Sequence, residues 1–518
     1  MESVVVESGG ISSLDVVSVA RGEATVSVGA AAAEAMAASA ALIDGFLASD
    51  TPVYGVTTGF GSLASTMIPA DRTAELQRAL VRSHAAGMGP LVEREVVRAM
   101  MLLRLRSLAM GYSGVRPIVA ETIAAVLNAG ITPLVHEHGS LGASGDLAPL
   151  SHAALALIGE GFVQLPGGEI ATAAEALEAV GITPLELRAK EGLALINGTD
   201  GILGMLVMAL ADLDDLMVTA DIVAAMTTEA LMGTDRAWAP DLQALRPHAG
   251  QAHSAASMTR VMAGSEIRES HRLGDGKVQD AYSLRCTPQV HGGALDTVTY
   301  ARSVAAIELR SAIDNPMILP DGRVESCGNF HGAPLAYVCD FLAIAIADIG
   351  ALAERRTDRM LDAHRSAGLP PFLAPDAGVN SGMMIAHYTQ AAMVAENRRL
   401  AVPASVDTLP TSALQEDHVS MGWSAARKLR ASVTNYQRIL AVELACATRG
   451  IDLRSPLMPS PASAAVLALV RKSIDGPGPD RWLAPELAAV TELIASGAIR
   501  DAAEAVIGPL AFTTHQGD

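Results

Sequence analysis

The sequence runs to 518 residues with a formal net charge of −19, is 50% hydrophobic and only 3% aromatic. Its acidity opposes the basic footprint that nucleic-acid binding requires, and no Lys/Arg stripe interleaved with aromatics restores one. A chain this long exceeds what one core normally serves, and its apolar content comes mainly from Ala, Leu, Val, Ile and Met, so an all-α protein of two or three subregions is expected.

The N-terminus, MESVVVESGG, lacks the basic start and apolar run of a secretion signal. Cys286, Cys327, Cys339 and Cys446 show no Cys-x-x-Cys spacing, so reduced thiols in a cytoplasmic protein are expected. Up to Gly201, helical stretches such as Ala30 to Leu47 alternate with Gly-rich connections at Tyr54 to Leu63, Gly139 to Leu150 and Asn197 to Gly201. Beyond that, Leu342, Ala345, Ile346, Ile349, Leu352 and Ala353 follow the helical period and predict a bundle of long helices. Pro and Gly clusters at 368–371 and 403–410 predict loops, and a shorter helical tail follows Leu453. The expected division is 1–200, 201–453 and 454–518. The most apolar stretches, Ile202 to Leu210 and Phe341 to Leu352, fall short of the roughly 18 uncharged residues of a membrane span. They are expected to be buried helices, with no membrane partner.

Chemistry concentrates in GSLGASGDLAPL, residues 139–150. If the Gly145 nitrogen attacks the Ala143 carbonyl, a five-membered ring closes, and loss of two waters with dehydration of Ser144 leaves an exposed methylidene. The attacking nitrogen must be unhindered, the carbonyl partner small, and the middle residue must carry a β-hydroxyl; Ala-Ser-Gly meets all three needs. Asp146 has two roles open to it, proton transfer during dehydration and N-cap of the following helix. As an isolated tripeptide Ala-Ser-Gly would be an ordinary turn.

In context, this string resembles the signature of the aromatic amino acid ammonia-lyase family, whose members form 4-methylideneimidazole-5-one (MIO) at the tripeptide. The resemblance recurs in separate motifs from Tyr54 through Met421. It implies the helical superfold of fumarase and aspartase and a homotetramer with active sites shared between subunits. It also implies elimination of ammonia from an amino acid: the substrate amine, or in an older alternative its ring, meets the electrophile while a base takes the β-proton. Tyr54 in VYGVTTGFG matches the family's base; a phenol of pKa about 10 needs cationic or hydrogen-bonding neighbours for that role. In AYSLRCTPQV, the resemblance gives Arg285 the substrate carboxylate, for which its planar fork suits it, and Tyr282 a part in activating the MIO site. Asn197 in GLALINGTDG matches the family asparagine beside the electrophile, and its amide can donate and accept. Gln289, Asn315 in DNP and Phe330 in GNFHGAP match pocket-lining positions.

Two positions bear on the substrate. Ser83-His84 in LVRSHAAGMG and Glu416 in LQEDHVSMG resemble the pairings of histidine-specific members. A carboxylate buried beside a phenyl ring would be left unpaired, whereas an imidazole N–H satisfies it. The resemblance therefore implies L-histidine as substrate and trans-urocanate and ammonia as products, the first step of histidine breakdown. The rivals are an MIO enzyme acting on phenylalanine or tyrosine, as lyase or aminomutase, a fumarase-like lyase without MIO, and a non-catalytic helical oligomer. His136-Glu137-His138 lacks metal-ligand spacing and is expected on a surface loop, with no metal. That stretch and Leu414, where many members carry Asn, depart from the family pattern.

Overall fold

The computed structural model describes residues 2–47, 55, 57–59 and 66–512. Its axis is the helix Asp200–Ala230, whose 31 residues are apolar on every side and almost all buried, as befits a helix enclosed by others. Ala333–Leu361 and Gly422–Asp452 pack against it and against each other, and Thr287–Glu308 and Met384–Leu400 extend the bundle. Of the periodic positions, Leu342, Ile346, Ile349 and Ala353 are buried while Ala345 and Leu352 are half-buried, so the all-α expectation holds in the centre of the molecule.

The apolar runs are longer than the sequence suggested. Among the described residues, three helices are long and apolar enough to cross a membrane by length and composition: Ala30–Leu47, the run Glu191–Ala230 and Ala333–Leu361. The most apolar stretch of the second is wholly buried within the bundle, where neighbouring helices take up the apolar surface that lipid would otherwise cover.

Short strands accompany the helices. Glu2–Val6 pairs in parallel with Ala24–Val28. His136–His138 pairs antiparallel with Met88–Leu91, so the HEH triplet is a strand rather than the expected surface loop. His136 Nδ1 bonds the Gly89 carbonyl oxygen at 2.9 Å, and Trp423 donates to the Glu137 carbonyl at 2.6 Å, which ties the strand to the bundle.

Polar groups inside the bundle are paired across helices. Arg356 grips Glu443 through Nε to Oε1 at 2.5 Å and Nη2 to Oε2 at 2.9 Å, and Thr227 donates to Oε1 at 2.9 Å. Neither charged side chain reaches solvent. One ion pair thus links three long helices, and removing either half strands the other charge. Glu443→Ala is expected to lower stability by about 3–5 kcal/mol, whereas Arg356→Met with Glu443→Leu lowers it far less. Urea unfolding followed by circular dichroism checks this; an unchanged midpoint in the single variant refutes it.

Candidate active site

The 139–146 loop sits at the N-terminal end of the axial helix. Gly142 and Gly145 adopt φ of +65° and +79°, and a Cβ on Gly145 would lie 2.2 Å from the Gly198 carbonyl oxygen. Only glycine fits there. Ser420 donates to the Gly142 carbonyl at 3.1 Å, and Met421 N–H to the Leu141 carbonyl at 2.9 Å, so the loop is held from two sides with Ser144 left half-exposed.

Asp146 takes neither of its expected forms unchanged. Its side chain makes no cap for its own helix, Leu147–Leu157; instead Oδ2 accepts from Gly201 N–H at 2.9 Å and Ile202 N–H at 3.0 Å. It caps the axial helix across the fold. Oδ1 accepts from Ser140 Oγ at 2.8 Å. Complete burial pushes the carboxyl up to about 7, against the pull of the Ile202, Ser140 and Gly201 donors, which also leaves it able to exchange protons near neutrality.

One predicted specificity residue, Glu416, reaches Ser144. The Ser144 hydroxyl donates to Glu416 Oε1 at 3.3 Å, while Thr411 Oγ1 donates to Oε2 at 2.8 Å. Thr411 and Glu416 also exchange backbone hydrogen bonds, closing a turn in which Ser412, Ala413 and Leu414 all have positive φ. The left-handed region suits Asn far better than Leu, which is the conformational meaning of the Leu414 departure. His84 ends the helix Thr73–His84; burial lowers its pKa, with the Leu80 carbonyl and the Glu416 charge opposing. Nδ1 lies 2.9 Å from the Leu80 carbonyl oxygen and 3.0 Å from Ser83 Oγ. A carbonyl only accepts, so Nδ1 carries the hydrogen and Nε2 is left as an acceptor.

Asn197 is buried at the end of the helix Glu191–Ile196. Its Nδ2 donates to Asp314 Oδ1 at 3.1 Å and to the Asn315 carbonyl at 2.8 Å. Asp314 in turn receives the buried Lys190 ammonium at 2.8 Å. Asn315 uses its own Oδ1 to accept from Cys327 N–H at 2.9 Å, so its side chain braces the 314–327 loop. Phe330 is half-buried beside His331 and Gly332, where a side chain on Gly332 would meet Ile202 and Ser420 at 3.0 Å. Tyr54 lies outside the described residues. Its neighbour Gly55 accepts from Gln77 Nε2 at 3.3 Å, and Gln77 Oε1 accepts from Leu193 N–H at 3.0 Å, which hitches that loop to the segment bearing Asn197.

Tyr282, Arg285 and Gln289 are elsewhere. Asp280 Oδ2 accepts from Thr234 N–H at 2.6 Å, just past the C-terminal end of the axial helix, and Arg285 Nε donates to the Asp280 carbonyl at 3.0 Å. The axial helix has 31 residues, so about 45 Å separates this turn from the Asp146 end. Tyr282 is 70% exposed, with the Arg285 guanidinium 4.4 Å from its ring centroid. Gln289 Oε1 is buried without a partner among the described residues. Within one chain these three cannot reach Ser144.

Sequence reasoning passed over Lys190, Asp314, Thr411 and Ser140. Asp314 stood in a DNP turn whose Asn drew the attention, and Lys190 sits in an Arg-Ala-Lys-Glu run that looks like surface charge.

Because the Asp146 carboxyl is raised from 3.8 to about 7, its stabilising contribution is complete below the lower value and lost as pH rises through the upper one. Between them, stability of the wild type is expected to fall relative to Asp146→Asn by up to about 1.4 kcal/mol per pH unit. Urea midpoints of both proteins measured across that range test the assignment; parallel curves exclude it.

Residues 11–472 match the model of the aromatic amino acid lyase family. The chain is 62% identical over 512 residues to histidine ammonia-lyase of Streptomyces avermitilis, covering 99% of this chain and 100% of that one. Among solved structures it is similar to the tyrosine aminomutase of Streptomyces globisporus, with a TM-score of 0.91 at 39% identity over 98% of this chain and 99% of that one. It is equally similar in fold to histidine ammonia-lyase of Trypanosoma cruzi, with a TM-score of 0.90 at 36% identity over 99% of both chains. With the tripeptide loop, the helical bundle and the match along most of its length, the chain belongs to the aromatic amino acid lyase family.

Proposed function

We propose that this protein eliminates ammonia from L-histidine to give trans-urocanate, using MIO formed from Ala143, Ser144 and Gly145. The observation that carries the substrate is an acceptor set beside the tripeptide, Glu416 Oε1 at 3.3 Å from Ser144 Oγ, with the His84 ring under the influence of the Glu416 charge. An acceptor wants an N–H donor. An imidazole ring provides one, and a phenyl ring would leave the carboxylate desolvated and unpaired. The likeness in fold to a tyrosine aminomutase and to a histidine ammonia-lyase is the same, so the backbone does not separate the two substrates. The 62% identity to the Streptomyces avermitilis enzyme supports the histidine reading.

The loop fits the ring. Gly145 is pressed against the Gly198 backbone so closely that no side chain is tolerated, and Ser144 keeps its hydroxyl on the accessible side. Once formed, the ring supplies an electrophile toward the substrate's amino group. Around it, Glu416 and His84 orient the imidazole, Asn197 faces the amine, and Asp146, titrating near 7, holds or releases a proton beside the loop. Tyr54 takes the β-proton, as the resemblance implies.

Arg285 and Tyr282 serve a site in another copy. Their separation from the loop, about 45 Å by the rise of the 31-residue axial helix, leaves no other way for them to meet the substrate. Exposed Tyr300, Phe341 and Ile344 line a groove between Thr287–Glu308 and Ala333–Leu361, beginning at Gln289, and such an apolar face suits a partner of the same kind. A homotetramer with shared sites, as the resemblance implies, accommodates both features. The four cysteines are unpaired, which supports a cytoplasmic setting.

The intact mass is expected two waters below the translated sequence, with Ser144→Ala restoring one or both. L-histidine is expected to yield urocanate absorbance while phenylalanine is a poor substrate, and Glu416→Gln to lower kcat/KM for L-histidine by about 10–100-fold. An unmodified mass in active protein overturns the electrophile; a preference for phenylalanine overturns the substrate. For the shared site, Ser144→Ala and Arg285→Met chains are each expected to be inactive alone and to regain activity when co-expressed. Mixed tetramers without activity exclude the sharing.

A further inference from the structure

The Asn197 amide is held in a way that decides which of its atoms is available. Its Nδ2 reaches two atoms, Asp314 Oδ1 at 3.1 Å and the Asn315 carbonyl oxygen at 2.8 Å. A carbonyl can only accept, and so can an ionised carboxylate, so the NH2 end of the amide must occupy that side and both its hydrogens are engaged. What keeps Asp314 an acceptor is Lys190: both side chains are sealed from solvent, and the ammonium lies 2.8 Å from Oδ2. Asn315 N–H adds a donor to Oδ1 at 2.7 Å. Lys190, Asn197 and Asn315 N–H all donate to the Asp314 carboxylate. Lys190 itself is held at φ +70°, a conformation costly for a non-glycine residue, which fits a side chain whose direction matters. No hydrogen bond engages Asn197 Oδ1 among the described residues. The next residue, Gly198, lies against Gly145, which brings Asn197 to the edge of the tripeptide loop.

We infer that the buried Lys190–Asp314 pair is a positioning device for Asn197: Asp314 engages one amide hydrogen while the Asn315 carbonyl engages the other, which leaves Oδ1 as the only atom the side chain offers, so Asn197 reads an N–H donor, the substrate's amino group. Sequence left donation and acceptance open at this residue. The ion pair closes the choice, and it rules out Asn197 as a donor to the substrate carboxylate, which falls to Arg285. Lys190 and Asp314 touch no substrate; they act through Asn197. This inference rests on the proposed elimination of ammonia from L-histidine.

The test separates the amine from the rest of the ligand. In a Ser144→Ala background, where L-histidine binds without turnover, calorimetry compares L-histidine with 3-(imidazol-4-yl)propionate, the same molecule without its amino group. Asn197→Ala is expected to weaken L-histidine at least about tenfold and to leave the amine-free ligand within about twofold. Lys190→Met is expected to reproduce that split, because Asp314 loses the partner that fixes it and no longer holds the amide in one orientation. Equal losses for both ligands in Asn197→Ala, or no loss for L-histidine, overturn the inference. Should Lys190→Met not fold, Asn197→Ala still decides the acceptor, and Asp314→Asn, which keeps the volume and removes the charge, decides the positioning: an unchanged preference for the amine there overturns it. If instead the background protein binds neither ligand, the proposed substrate fails rather than the role of Asn197.

Discussion

A buried helix N-terminus cannot be left bare, and the way this chain satisfies the one at Asp200–Ala230 organises everything around it. The first-turn N–H groups of Gly201 and Ile202 point into the fold, and the carboxylate that meets them, Asp146, comes from a separate loop. That single interaction docks the Ala143-Ser144-Gly145 tripeptide onto the bundle axis. Because Asp146 N–H also donates to the Gly198 carbonyl at 2.7 Å, the Asn197-Gly198 turn is drawn to the same point. A helix N-terminus, a carboxyl cap and a loop whose left-handed turns are met by glycine are thus one structural unit.

The same helix sets the distance between the halves of the chemistry. Its near-complete burial makes it a rigid spacer, since an apolar helix packed on all sides has no freedom to bend toward a ligand. At one end lie Ser144, Glu416, His84 and Asn197; at the other lie Tyr282, Arg285 and Gln289. The proposed sharing of sites between copies rests on this bundle length. The Arg356–Glu443 pair with Thr227 fixes the relative registers of three helices, so the spacing at one end is transmitted unchanged to the other.

Around the tripeptide the polar groups fall into acceptors and donors with little ambiguity. Glu416 is held by Thr411, the His84 ring is oriented by Leu80, and Asn197 is oriented by Asp314 and Lys190. In each case a neighbour that can only donate or only accept removes one of two choices open to the side chain. Such preorganisation costs burial of charge at Lys190 and Asp314 and returns a site whose hydrogen-bonding pattern is set before a substrate arrives.

Much of this was legible in the sequence. The helical period from Leu342 to Ala353 reports a face buried by repetition, and Ala-Ser-Gly within GSLGASGDLAPL could be read as a candidate ring-forming loop through its resemblance to the family signature. His84 and Glu416 stood out in the same way, through motifs that resemble those of histidine-specific members. Other features had no sequence signal. The strand at His136–His138, the cap that Asp146 makes on a helix 55 residues away, and the Lys190–Asp314 pair, 124 residues apart, are relations between distant segments, and a residue's type does not reveal which distant group will satisfy it. The sequence by itself determined which chemistry the residues are able to perform; the tertiary structure decided which of them face one another, because hydrogen-bond partners and the 45 Å span of about thirty helical residues are set by packing and not by order along the chain.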